Sequence, residues 1–200
     1  MSPRGIPAPA GELPELPTVP LGASRLWRIH AAAAEPWFFD PGPNGRFNLG
    51  DVGTCYLAEE RLGAFVEKFG RLLRPGGVIP EPLVKGQRLS SLRPPRVEVV
   101  DLTDPRVLGR AGLTAEIHST TDYALTRSWA LALRDAGYRG IRYRARHDPR
   151  GELTSVALFG SARPPRSAAR TTEIPLDLIH EAAETFAITV LPRRHRRRSG

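Results

Sequence analysis

Cysteine is almost missing from this sequence: Cys55 is the only one in 200 residues. A lone thiol excludes an internal disulfide framework, and no cysteine and histidine spacing matches a zinc site. Long hydrophobic runs are missing as well. No segment approaches the roughly twenty apolar residues that cross a bilayer, and the opening MSPRGIPAPAGELPELPTVP lacks the apolar stretch of a secretory signal. Together these absences predict a protein of the reducing cytoplasm, without a membrane span. No internal repeat is visible, which sets aside solenoid architectures.

Basic residues outnumber acidic ones, 29 to 21, for a formal charge of +8. Much of that excess sits at one end. The last eight residues carry Arg193, Arg194, Arg196, Arg197 and Arg198, and removing those five from +8 leaves +3 for the rest. Such a run reads as a solvated, disordered tail over residues 193–200 that meets phosphates without specificity. It has no interleaved aromatics to stack on bases, so no specific nucleic-acid partner is expected. A basic nucleic-acid-binding protein would rest on this tail alone.

With 40% hydrophobic and 25% charged residues, the remainder has the make-up of one globular domain. Pro3, Pro7, Pro9, Pro14, Pro17 and Pro20 mark residues 1–24 as an extended, flexible arm, and residues 25–192 as the domain. LWRIH and TCYLA read as strands. A helix is predicted from about Glu59 to Leu73, where Leu62, Phe65, Val66, Phe69, Leu72 and Leu73 recur at three- and four-residue steps, and Gly76 and Gly77 stop it. RLSSL, RVEVVDL, GIRYR, LTSVALF and TFAITVL read as further strands. DPRVLGR and PLDLIHEA read as short helices and TDYALTRSWALALRDAGY as the longest, closed by Gly137. Short strands with scattered helices describe a single compact α+β domain rather than βαβ alternation.

The stretch GPNGRFNLG, Gly42 to Gly50, sets Arg46 in a loop of glycine and asparagine whose main chain can approach a ligand. By residue type, Arg28 and Arg46 suit phosphate oxygens, because a guanidinium makes two-point contacts that lysine cannot. Arg28 on its strand is equally readable as an edge residue paired with a surface carboxylate. The helical wheel puts Glu67 nearly opposite the apolar stripe, the place of a solvated glutamate unless a pocket forms over that face. Tyr56 closes a strand, where its ring can stack on a ligand or half-bury against the core. Ser119 and Asp122 approximate a capping box ahead of the longest helix, and Ser119 is a second-rank ligand contact there. His118 and His147 lack metal-ligand partners.

In order along the chain, RLWRIH, GRFN, CYLAEE with the glutamate of AFVEKFG, VVDLTDP and WALALRDAGYRGIRYRARHD resemble the RES-domain family. These proteins are toxins of bacterial toxin–antitoxin systems. The resemblance implies an ADP-ribosyltransferase-like fold and an NAD-degrading enzyme that cuts the nicotinamide–ribose bond by phosphorolysis or hydrolysis. It implies NAD as substrate with no cofactor or metal, inorganic phosphate as a possible acceptor, and an Xre-type antitoxin as partner. Carried onto this chain, Glu67, Arg28 and Tyr56 become the catalytic group, and Arg46, Arg28 and Tyr56 the NAD-binding group, to which the helix start adds Ser119. One position departs. The family's serine falls on Ala145, within Tyr143, Arg144, Ala145, Arg146, and a chain without that hydroxyl is either an enzyme with a substitute or an inactive NAD- or ADP-ribose-binding module.

Overall fold

Alternation along TCYLA and LTSVALF turns Tyr56 and Ala58 to one face of a sheet and Cys55 and Leu57 to the other, so each face must find its own cover. In the computed structural model, which describes residues 6–9, 11–23, 25–161 and 169–191, both faces do. The chain runs through β1 (Thr18–Pro20), β2 (Leu26–Ala31), β3 (Gly53–Ala58), α1 (Arg61–Phe69), β4 (Val78–Pro80), α2 (Glu81–Lys85), β5 (Gln87–Leu92) and β6 (Glu98–Asp101). It continues through α3 (Pro105–Ala111), α4 (Tyr123–Asp135), β7 (Gly140–Arg144), β8 (Thr154–Gly160), β9 (Ala169–Thr172), α5 (Leu176–Phe186) and β10 (Thr189–Leu191). Eight strands form one sheet in the order β1-β6-β7-β8-β3-β2-β5-β9, and β10 pairs with β4 apart from it. This is the α+β domain expected.

Two cores share the face that carries Tyr56 and Tyr143. In one, α1 and α5 lay Leu62, Phe65, Val66, Phe69, Leu178 and Phe186 over Ala58, Ile29 and Leu89. Each such side chain contributes about 1.5–3 kcal/mol by leaving water, which fixes α1 against the sheet. In the other, α3 and α4 bury Val107, Trp129 and Leu133 against Ile141, Ala157 and Phe159. Cys55, Leu57, Val156 and Leu158 lie on the opposite face, under Trp37 and Phe39.

Along most of the sheet the strands pair over several residues, but β2 and β3 share one pair alone, Trp27 with Ala58. From that pair at the end of β3 they splay apart toward Ala31 and Gly53. The gap left between them, roofed by α1, is where the cleft opens.

The N-terminal arm corrects the expectation of a flexible segment. Ile6, Leu16 and Leu21 are buried, Trp129 Nε1 donates to Pro7 O at 2.8 Å, Leu16 N donates to Tyr138 Oη at 2.9 Å, and β1 pairs antiparallel with β6. Prolines forbid a helix there, yet they leave an extended chain free to bury the apolar residues between them. Helix α1 also ends sooner than its stripe suggested. At Gly70 the chain passes into a 3-10 turn through Leu72, since the ring of His147 packs where any Cβ would stand. Residues 193–200, the basic tail, lie outside the described residues. Among the described residues no helix is long and apolar enough to cross a membrane.

Candidate active site

Between the splayed strands lies a cleft of about 530 Å³, lined from β2 by Arg28 and His30, from β3 by Tyr56, from the 42–50 loop by Arg46, from α1 by Glu67 and from β7 by Tyr143. Lys68, Arg71 and Arg146 join Arg28 and Arg46 around it, and Asp40 is the one other carboxylate beside Glu67. Five cations against two carboxylates make this a pocket for an anionic ligand.

Arg46 is held unusually deep for a guanidinium, at 8% exposure. Its Nη2 donates to Ile117 O at 2.6 Å, while Nε and Nη1 are buried with no partner. Burial pulls its pKa down, and Tyr143 and Glu67 nearby pull it back up. The loop that carries it is pinned on every side. Tyr56 Oη accepts from Phe47 N at 2.8 Å and donates to Asn48 Oδ1 at 2.8 Å, and Asn48 Nδ2 donates to Asp40 Oδ2 at 3.1 Å and Gly42 O at 2.6 Å. From α4, Thr126 Oγ1 donates to Arg46 O at 2.6 Å. Gly45 is required where it stands, because a Cβ there would run into Asn48 and Tyr56.

Glu67 does face a pocket. The residue keeps much accessible surface, but that surface opens into the cleft, and the carboxyl itself is ringed by protein. Tyr143 Oη donates to Glu67 Oε1 at 2.9 Å. Burial raises the Glu67 pKa, opposed by Ser155, Tyr143 and Arg46. Tyr143 is itself raised well above a free phenol, by burial first and by Glu67 next, so it remains a donor throughout the working range.

Arg28 reaches across the gap, donating through Nη1 to Pro36 O at 3.0 Å, Phe38 O at 2.7 Å and Cys55 Sγ at 3.0 Å. It lines the cleft while holding the 36–38 turn, and among the described residues no carboxylate pairs with it. Tyr56 lines the cleft with its ring, but its hydroxyl is committed to the Arg46 loop. The structure therefore brings Arg28, Arg46, Tyr56 and Glu67 together.

It leaves Ser119 out. That residue is exposed, away from the cleft lining, its hydroxyl turned to Glu116 O at 3.3 Å. Asp122 caps α4 instead, accepting from Leu125 N at 2.9 Å. Ala145 is also outside the cleft, 2% exposed and packed in the core under α1.

Several cleft residues escaped sequence reasoning. Arg146 Nη1 donates to Tyr123 Oη at 3.2 Å, and both line the cleft from elements far apart in sequence. Phe38, 49% exposed, stands at the rim between the buried Trp37 and Phe39. Only Tyr143 carried a signal: strand alternation sets it on the face of Ile141.

Compared with solved structures, the chain is similar to the M. tuberculosis MbcT–MbcA toxin–antitoxin complex, at 17% identity and a TM-score of 0.64, over 84% of this chain and 92% of that one. No curated protein matches. The RES domain model matches residues 25–180, which span every strand of the large sheet except β1, together with α1 and every cleft residue described above. On that match the chain belongs to the RES-domain family.

Proposed function

We propose that the cleft binds NAD and cleaves its nicotinamide–ribose bond, so that the protein acts as a growth-arresting toxin. The observation that carries this reading is Arg46, a buried guanidinium with two nitrogens unpaired, in the same cleft as a desolvated carboxylate. A buried cation left without a counter-charge is costly, and the charge of a dinucleotide diphosphate bound in the cleft beside Arg46 offsets that cost. Arg146 is placed to share that charge, and Phe38 offers a ring face at the rim to a nucleotide base.

At the other end of the ligand, cleavage takes the bonding pair of the C1′–N bond onto the pyridinium nitrogen, and neutral nicotinamide leaves without needing a proton. Positive charge builds on the ribose. A carboxylate fixed beside it stabilises that state as in glycoside hydrolysis, and Glu67 is the group we assign to this. Tyr143 orients Glu67, and Arg46 favours its ionised form. An oxygen of phosphate or of water then bonds to C1′. Arg28 and Tyr56 shape the site by holding the 36–38 turn and the Arg46 loop.

The partner in this reading is a protein antitoxin of Xre type whose C-terminal part fills the cleft, in the cytoplasm. A similar fold has been solved as a toxin–antitoxin complex. A second reading, an inactive module that binds NAD or ADP-ribose, is favoured by Ala145. Incubating the purified protein with NAD, with and without phosphate, and separating the products decides between them. Nicotinamide release, with phosphorylated ADP-ribose formed only when phosphate is present, or ADP-ribose in its absence, supports the enzyme; binding with no release supports the module.

A further inference from the structure

Ser155 is fully buried, at 0% exposure, and its hydroxyl has no hydrogen-bond partner. Hydroxyls are seldom left that way in a protein interior. On β8 it stands directly opposite Tyr143 of β7 and Ala58 of β3, so all three side chains share the face that α1 covers. Tyr143 reaches from that row to Glu67 Oε1, and among the described residues no hydrogen-bond donor meets Oε2. Serine is too short to reach the cleft itself. Its cross-strand neighbour Tyr143 is the residue that bonds Glu67, which puts the serine in the row beneath α1 from which the carboxyl is held.

We propose that Ser155 is a positioning residue for Glu67, donating its hydroxyl to the ionised carboxylate so that, with Tyr143, it holds both oxygens on the cleft floor. The hydroxyl is unpaired only until the carboxylate turns to it. Ser155 thus does from β8 what the alanine at 145 has no atom to do. The acidity of Glu67 agrees, since the Ser155 hydroxyl opposes the upward pull of burial. The other titratable groups bearing on Glu67 are Tyr143 from β7, Tyr56 from β3 and Arg46 from the loop, with Arg146 and His147 lining the same cleft.

This inference rests on the catalytic reading of Glu67, but its test does not. In full-length protein carrying 13C-carboxyl glutamate, the titration of Glu67 is followed by NMR in wild type and Ser155→Ala. The midpoint rises in the variant, and above that midpoint the variant is correspondingly less stable because the bond to the ionised carboxylate is gone, while below the wild-type midpoint that difference disappears. In parallel, turnover in the acid limb of the pH profile falls about five- to tenfold and the alkaline plateau changes little. An unchanged or lowered Glu67 midpoint overturns the role of Ser155. Wild-type protein that releases no nicotinamide at any pH overturns the proposed function, and leaves the titration to judge Ser155.

Discussion

Tyr143 Oη donates to Glu67 Oε1 at 2.9 Å, joining β7 to a face of α1 that is polar by periodicity and turned to the cleft in the fold. Burial without a paired cation in contact sets function against stability here. The folded pKa of Glu67 lies above its free value, so the folded state holds the proton more tightly than the unfolded chain does. Above that folded pKa the ionised carboxylate therefore costs stability, and the cost vanishes as pH falls below the free value. Glu67→Gln is expected to abolish nicotinamide release, by at least about 100-fold, and to raise the melting temperature at pH 7 by about 2–4 °C per kcal/mol relieved. Calorimetry at pH 7 beside a turnover assay checks both; a lower melting temperature would refute the desolvation account.

For Arg46 the deciding quantity is affinity. Arg46→Ala removes the buried positive charge beside the cleft, so on the proposed function NAD binding should weaken by about 10- to 100-fold, read by isothermal titration. Arg46→Lys should recover little of it, because an ammonium cannot replace two nitrogens of a planar fork while the third donates to Ile117 O. Unchanged affinity in the alanine variant would remove Arg46 from the site.

Central elements were legible because their residues carry a periodic signal. The strand GIRYR is β7 as read, and the stripe from Leu62 to Phe69 is the buried face of α1. The elements that failed to show are short ones, β1, β4, α2 and β9, of three to five residues, too brief to carry a period. β9, Ala169–Thr172, is exposed at every residue on a sheet edge, and β1 ends in a proline. The same limit governs the site. Arg46 stood out from its glycine-rich loop, but Glu67 was found through the family resemblance, because no local pattern says that a pocket forms over a polar helix face. Tyr123, Arg146 and Phe38 meet only through the splay of β2 from β3, a tertiary fact with no sequence period.

The arm is part of the core. Deleting residues 1–23 removes Ile6, Leu16 and Leu21 from burial, each contributing about 1.5–3 kcal/mol, together with β1 and the acceptor for Trp129. A melting temperature lower by roughly 10 °C or more is expected in thermal denaturation. Full stability in the truncated protein would return the arm to the status of a loose segment.

His118 gives the protein an acid weakness. Its pKa is lowered to about 4 by burial and by the charge of Arg46, and its neutral ring accepts at Nδ1 from Arg144 N at 3.3 Å. The unfolded chain takes up this proton near 6.5 and the folded one only near 4, so stability present above pH 6.5 is lost as pH falls through that window. The loss is on the order of 1–3 kcal/mol. Glu67 works in the opposite direction, which makes a single-site comparison necessary. His118→Asn keeps an acceptor that does not titrate, and urea unfolding at pH 7 and pH 4.5 should show the variant gaining on wild type as the pH drops. A constant difference between the two would acquit His118.

Ala145 is where the family pattern and this chain part, and its surroundings decide what a restored hydroxyl would do. The residue is 2% exposed, its N–H donates to Leu153 O at 2.8 Å, and it belongs to the core that holds Phe65, Phe69 and Leu153. A serine hydroxyl there enters an apolar layer. Without a partner it costs about 1–3 kcal/mol, and it has no path to the cleft that Ala145 does not line. Ala145→Ser is therefore expected to lower the melting temperature by several degrees and to leave NAD turnover within about twofold of wild type. Should the variant instead turn over faster at undiminished stability, the side chain at 145 reaches the substrate, and Ser155 is not the hydroxyl that serves Glu67.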